Sequence, residues 1–197
     1  MKKAVTFLFI LFWIIMAFSP HDRIVWLAEN IIFLFAFPLV IYLDKKYRFS
    51  NTTFLMLFIF GIFHIIGSYF TYNDVPFFTF EIFGEKRNYY DRFVHFLFGL
   101  LVYPAFFEIY YHQKFTKKTS FLIAFLFIMT ISSFYEIAEW LLIEITHSNG
   151  QGSYLITQGD EWDSQKDMIC AATGALLSYL VVSAVLQNNT SETNRFS

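Results

Sequence analysis

Residues 119–141 read TSFLIAFLFIMTISSFYEIAEWL. From Thr119 to Tyr135 the stretch carries no charge, and then two acids follow three residues apart, Glu136 and Glu139. A run of about 20 apolar residues is long enough to cross the hydrocarbon core of a bilayer as a helix. A helix is the expected form there, because hydrocarbon offers unpaired backbone groups no partner. An ionisable group near the centre of such a span costs about 2.5–3.5 kcal/mol on insertion scales, and groups kept at that cost serve a function by default. One stretch thus sets the class of the protein and marks where to look for its chemistry.

The rest of the chain repeats the pattern. Of its 197 residues, 56% are hydrophobic, 28 are Phe and only 15% are charged, against about 25% charged in an average soluble domain. The apolar residues come in blocks rather than at amphipathic spacing. Six spans can be drawn, at 4–19, 24–43, 52–70, 92–111, 119–141 and 167–187. The expected fold is an all-α, polytopic transmembrane helical bundle forming a single domain over 1–187, with a polar tail over 188–197 that reads as disordered. The first run could instead be a secretory signal, since Lys2 and Lys3 precede it and Ala17 and Ser19 resemble a cleavage site. Pro20 directly behind that site weighs for retention. The single cysteine, Cys170, excludes an internal disulfide and a thiolate zinc cluster. No Gly-rich phosphate loop, nucleotide fingerprint or basic patch is present, so no nucleic-acid partner is expected.

Lys and Arg in short loops set the orientation of a membrane protein. With the N-terminus inside, Lys2, Lys3, Lys45, Lys46, Arg48, Lys114, Lys117, Lys118 and Arg195 fall on the inner side. Arg23, Lys86, Arg87, Arg92 and Lys166 fall outside. Both termini are therefore expected in the cytoplasm. The acids, which play little part in that rule, sort the opposite way: only Asp44, Glu108 and Glu192 fall towards the inner side. The longest connections, 71–91 and 148–166, lie outside, and long ordered loops are more often functional.

Polar residues recur at helical spacing within or beside the spans. Asp91 and His95 are four apart and Glu136 and Glu139 three apart, so each pair shares a helix face, as do Asp163 and Asp167, four apart, if the sixth helix begins early enough. His64, with Ser68 one turn on, and Glu29 with Asn30 lie in other spans. On the topology above all of these fall in outer halves, so several spans deliver polar groups to one depth. Alternatives stand beside this reading. Asp91 could simply cap the fourth helix, and Asp160 or Asp163 the sixth. His64 and His95, taken singly, read as packing hydrogen bonders. The Glu136–Glu139 pair has no such explanation, since two close carboxylates repel unless a proton or cation intervenes. Trp26, Trp140, Trp162 and the tyrosines near span ends read as interfacial anchors.

Three segments, YYDRFVHFLFG at 89–99, FYEIAEW at 134–140 and GDEWDSQKDMICAATGA at 159–175, together resemble the YjdF-type family of bacterial inner-membrane proteins, whose biochemical function is undefined. The resemblance covers roughly residues 60–180 and implies a multi-pass protein of the bacterial inner membrane. More distantly the pattern is similar to VanZ-like proteins, which are linked to glycopeptide resistance. In the motifs of that family, Asp91, His95 and Phe96 take matching places with Arg92 at a Lys position. Glu136, Asp167 and Gly174 also match, while Glu139 replaces a Gln and Ala171 an Asn.

Three functions compete. One is a membrane protein whose acidic, His-containing outer site binds a cation, a lipid headgroup or a small or lipid-linked envelope precursor, with Asp91, His95, Glu136, Glu139, Asp163, Asp167 and His64 as candidates. Another is a metal-dependent intramembrane hydrolase or transferase. There Asp91, His95, Glu136, Glu139 and Asp167 supply ligands for a divalent cation such as Mg²⁺, Mn²⁺ or Zn²⁺, and one Glu stays free as general base. The last is a transporter using Glu136 and Glu139 as a proton or cation relay, which the lack of an internal repeat disfavours. The topology has a direct test. A tag inserted at residue 152 should be reached by an impermeant reagent from outside intact cells and one at residue 116 should not; the reverse pattern would overturn the shared-depth argument.

Overall fold

The computed structural model describes residues 1–82, 84–146 and 158–193. Six helices lie among them: α1 (Lys2–Met16), α2 (Arg23–Tyr47), α3 (Asn51–Tyr69), α4 (Tyr90–His112), α5 (Lys117–Thr146) and α6 (Asp163–Thr193). Strands β1 (Thr79–Ile82) and β2 (Glu85–Asn88) form an antiparallel hairpin between α3 and α4, with Thr79 opposite Asn88 and Ile82 opposite Glu85. The chain is therefore mostly helical rather than wholly so. Four helices, α2, α3, α4 and α5 as far as Leu141, are long and apolar enough to cross a membrane. α1 has 15 residues, or about 22 Å at roughly 1.5 Å per residue, which is short of the approximately 30 Å of hydrocarbon. Of the expected tail, residues up to Thr193 continue α6, and residues 194–197 fall outside the described residues.

Local chemistry explains the helix ends. The Asp22 side chain accepts hydrogen bonds from Ile24 N and Val25 N at 2.7 and 3.0 Å and so starts α2. Ser50 caps α3 by accepting from Thr53 N at 3.1 Å. Glu108 on α4 reinforces that cap from a distance, accepting from Ser50 N at 2.9 Å and from the Thr53 hydroxyl at 2.6 Å. These bonds satisfy amide groups that a helix start leaves unpaired. Lys45 and Lys46 sit in the last turn of α2, where the helix dipole favours cations.

Hydrogen bonds between elements define two ends of the bundle. At one end Lys2 donates to Asp44 and to the Phe49 carbonyl, both at 2.6 Å, and Glu108 meets Ser50. At the other, His21 N donates to the Tyr69 carbonyl at 3.0 Å, and Gln158 receives Asn88 N at 2.8 Å. α4 and α6 both begin at this second end, so they run parallel. Polar contacts also lock the short first helix in place. Trp13 Nε1 donates to Asn30 Oδ1 at 2.7 Å, and Asn30 Nδ2 donates to Ser68 Oγ at 3.0 Å.

The most extensive helix pairing joins α4 to α6. Its core includes Tyr103, Phe107, Ala171 and Ala175, with Ala124 and Ile128 from α5. Small residues permit the close approach, as at membrane helix interfaces generally. A Cβ on Gly99 would overlap the Ala171 carbonyl and stand 2.7 Å from Ala175 N. One on Gly174 would overlap the Phe96 carbonyl and stand 2.8 Å from Leu100 N. The obstacles are backbone atoms, which cannot swing aside. Gly174→Ala should therefore cost at least about 1–3 kcal/mol, the usual penalty for overpacking a filled core, read as a lowered thermal midpoint in detergent. An unchanged midpoint would refute the close crossing.

Candidate functional site

The parallel crossing of α4 and α6 brings their first turns together beside α5. Asp91 lies in the first turn of α4, and His95 one turn further on. His95 Nε2 stands 3.6 Å from Asp91 Oδ1 and 3.2 Å from Glu136 Oε1 of α5. Asp167 of α6 completes the group: Asp91, His95 and Asp167 each offer one ligand atom, and the three lie within 4.8 Å of one another. Asp167 is 2% exposed and Glu136 6%. Asp167 Oδ1 and Glu136 Oε1 are nonetheless without hydrogen-bond partners. Buried polar atoms are normally satisfied, so each such orphan requires a reason. Glu139, one turn beyond Glu136 on α5, is half-buried and within electrostatic reach of Asp91, Glu136 and Asp167.

A second polar layer closes this end of the bundle. Arg87 from β2 pairs with Asp160 at 3.3 Å and with Asp163 at 2.8 Å. Arg92 pairs with the same two carboxylates, and Lys166 reaches Asp160 at 2.6 Å. Both guanidinium groups also lie over the Tyr89 ring, at 5.7 and 5.4 Å. Gln158 knits the loops together by donating to Asn73 Oδ1 at 2.8 Å and to the Asn88 carbonyl at 3.0 Å. Among the described residues no Lys or Arg forms an ion pair with Asp91, Glu136 or Asp167. Three cations thus pair directly with Asp160 and Asp163, while Arg92 reaches Asp91 and Asp167 only at longer range and Ser164 donates a hydrogen bond to Glu136.

Asp163 is accordingly engaged by two arginines. Asp91 does not cap α4 with its side chain; the Asn88 side chain accepts from Tyr90 N at 3.0 Å instead. His64 belongs to a neighbouring set. Its Nε2 faces the Glu29 carbonyl at 3.3 Å and its Nδ1 the Tyr72 hydroxyl at 2.7 Å. A carbonyl only accepts, so Nε2 carries the proton and Tyr72 donates to Nδ1. The Tyr135 hydroxyl donates to Glu29 Oε2 and links α5 to α2. Reading tyrosines near span ends as interfacial anchors hid this role of Tyr135, although its place beside Glu136 marked it. Arg87, Tyr72 and Gln158 lie in loops or a short strand, where no helical spacing pointed to them.

A family model for DUF2238, described as a predicted membrane protein, matches residues 1–188. Inner membrane protein YjdF of Escherichia coli (strain K12) is 32% identical over 167 residues, which cover 82% of this chain and 79% of that protein. No solved structure matches. The chain belongs to the DUF2238 family of membrane proteins.

The outer layer of charges has a pH signature. Burial opposes the charged form of Asp160, but the Lys166 ammonium, the Trp162 N–H and the Arg92 guanidinium outweigh it and hold the carboxyl down at about 2, below its ordinary 3.8. A depressed pKa stabilises the fold above the ordinary value, and this contribution is lost as pH falls through about 2. The wild-type thermal midpoint should therefore fall more steeply than that of Asp160→Asn between about pH 4 and pH 2, with the variant lower above pH 4. Parallel curves would show that the ion pairs of Asp160 do not contribute.

Proposed function

We propose that this member of the DUF2238 family holds a divalent cation at the outer end of its bundle in the bacterial inner membrane. The ligands are Asp91, His95 and Asp167, with Glu136 beside them. The observation that carries this reading is the pair of buried, unpartnered oxygens, Asp167 Oδ1 and Glu136 Oε1, beside three ligand atoms within 4.8 Å. Carboxylates gathered away from water repel one another unless a positive charge joins them. Arg87, Arg92 and Lys166 make their direct ion pairs with Asp160 and Asp163, and the two arginines act on the inner carboxylates only at longer range. A metal ion would supply the missing charge and use the open lone pairs. Two carboxylates with one imidazole suit Mn²⁺ or Zn²⁺, and Mg²⁺ less well. Glu139 acts from the next turn of α5 as further negative charge, and His64 supports the wall of the site through Tyr72.

A second reading, a metal-dependent hydrolase or transferase, is favoured by Glu136. Its Oε1 lies 3.2 Å from His95 Nε2 and accepts no hydrogen bond, the position a general base beside a metal would need.

Protein purified without chelator should contain about one equivalent of metal. Asp167→Asn should weaken metal affinity by at least about tenfold, the lower end of what even an outer-shell change costs, whereas exposed Glu144→Gln should leave it unchanged. Folded wild-type protein free of metal, and unable to take up Mn²⁺ or Zn²⁺, would end the cation reading.

A further inference from the structure

A cavity of ≈ 280 Å³ lies between α2, α3, α4 and α5. Phe33, Val40, Phe58, Phe98 and Val102 are among its walls, which are apolar over most of their length. Along α4 its lining runs from Asp91 to Ile109, a stretch of about 27 Å at roughly 1.5 Å per residue. That is nearly the approximately 30 Å depth of a hydrocarbon core. One end alone is polar, where Asp91, His95, His64, Tyr72 and Tyr135 meet the space. Asp91 and His95 thus belong both to this slot and to the carboxylate–imidazole cluster.

The slot also has a side opening. α2 packs against α3 and scarcely touches α4. Ile32 and Leu39 on α2 and Ile131 on α5 line the slot and yet are 46%, 53% and 39% exposed. On a membrane-spanning bundle such an apolar edge faces lipid rather than water. The Tyr135–Glu29 hydrogen bond joins α2 to α5 at the polar end of this opening.

We infer that the slot receives the hydrocarbon chain of a phosphate-headed membrane lipid, which enters sideways between α2 and α5 and places its phosphate at the Asp91–His95–Asp167 site. This rests on the cation reading above. Three features select that occupant. The apolar length matches a chain that lies in one leaflet and reaches into the next. The polar end is confined to one depth, as a headgroup is. The third feature is charge: bare carboxylates repel a phosphate, but a cation held by a few protein ligands completes its shell with phosphate oxygens. Lipid capture must therefore depend on the metal, which distinguishes it from nonspecific solvation of the bundle by lipid.

The test uses the full chain in phosphatidylcholine vesicles containing a phosphatidic acid with a diazirine near its acyl terminus, and a matching diazirine diacylglycerol without phosphate. After illumination, adducts are mapped by mass spectrometry and metal is measured on the same sample. The expected result is adducts on Phe58, Phe98 or Val102 with the phosphatidic acid, at least tenfold fewer with the diacylglycerol, and at least tenfold fewer after chelation. Ala36→Trp, which plugs the half-exposed wall of the slot, and Leu39→Trp, which plugs its open mouth, should each cut slot adducts at least tenfold while metal content is unchanged. Two variants at separate exposures keep the result readable if one fails to fold. Adducts confined to the outer faces of α2, or equal yields from the two lipids, would overturn the inference while metal remained bound. Slot adducts that persist after chelation would overturn the bridging cation and leave the cation reading standing, whereas untreated protein that holds no metal and takes up neither Mn²⁺ nor Zn²⁺ would end the cation reading itself.

Discussion

The approach of α4 to α6 at Gly99 and Gly174 is the constraint on which the rest of the molecule depends. Without side chains at these positions the two backbones nearly touch. The helices run parallel, so residues two turns before each glycine arrive at the same level. On α4 that residue is Asp91, and on α6 it is Asp167. The same geometry sets two helix N-termini side by side, and the positive ends of both dipoles favour anions there. The carboxylate cluster is therefore a product of helix packing before it is a matter of ligand chemistry.

Charge is then divided between two layers. The outer one holds Arg87, Arg92 and Lys166 against Asp160 and Asp163 and is close to balanced. The inner one, with Asp91, Glu136 and Asp167 around His95, has no comparable partners among the described residues. A buried charge left unpaired is strongly destabilising, whereas a paired one nearly breaks even. The asymmetry between the layers is the ground for proposing a ligand at the inner one.

Much of this was legible in the chain. The apolar runs located the helices to within a few residues, because a membrane span needs length and composition more than any particular pattern. Spacing of three or four residues placed Asp91 with His95 on one face, and the distribution of Lys and Arg along the chain put these groups and Glu136 at one depth. What escaped depended on tertiary contact. The hairpin has four residues per strand, and β1 is exposed throughout, so no alternation announced it. Arg87 looked like one more loop cation, yet it is 5% exposed. Tyr135 finds Glu29 across 106 residues of sequence, and the slot exists only because α2 stands away from α4. The first span was drawn too generously, since apolar residues continued past the point where the helix ends at Met16.

That short first helix alters the surroundings of the protein. α1 packs against α3 and carries Phe9 into the core, while beside it α2 extends for 25 residues. Neighbouring lipids cannot match both lengths at once. A hydrophobic segment shorter than the bilayer is accommodated by local thinning at a modest cost for each ångström of mismatch. A bilayer that follows both helices would therefore have to thin along the α1 edge relative to the α2 edge.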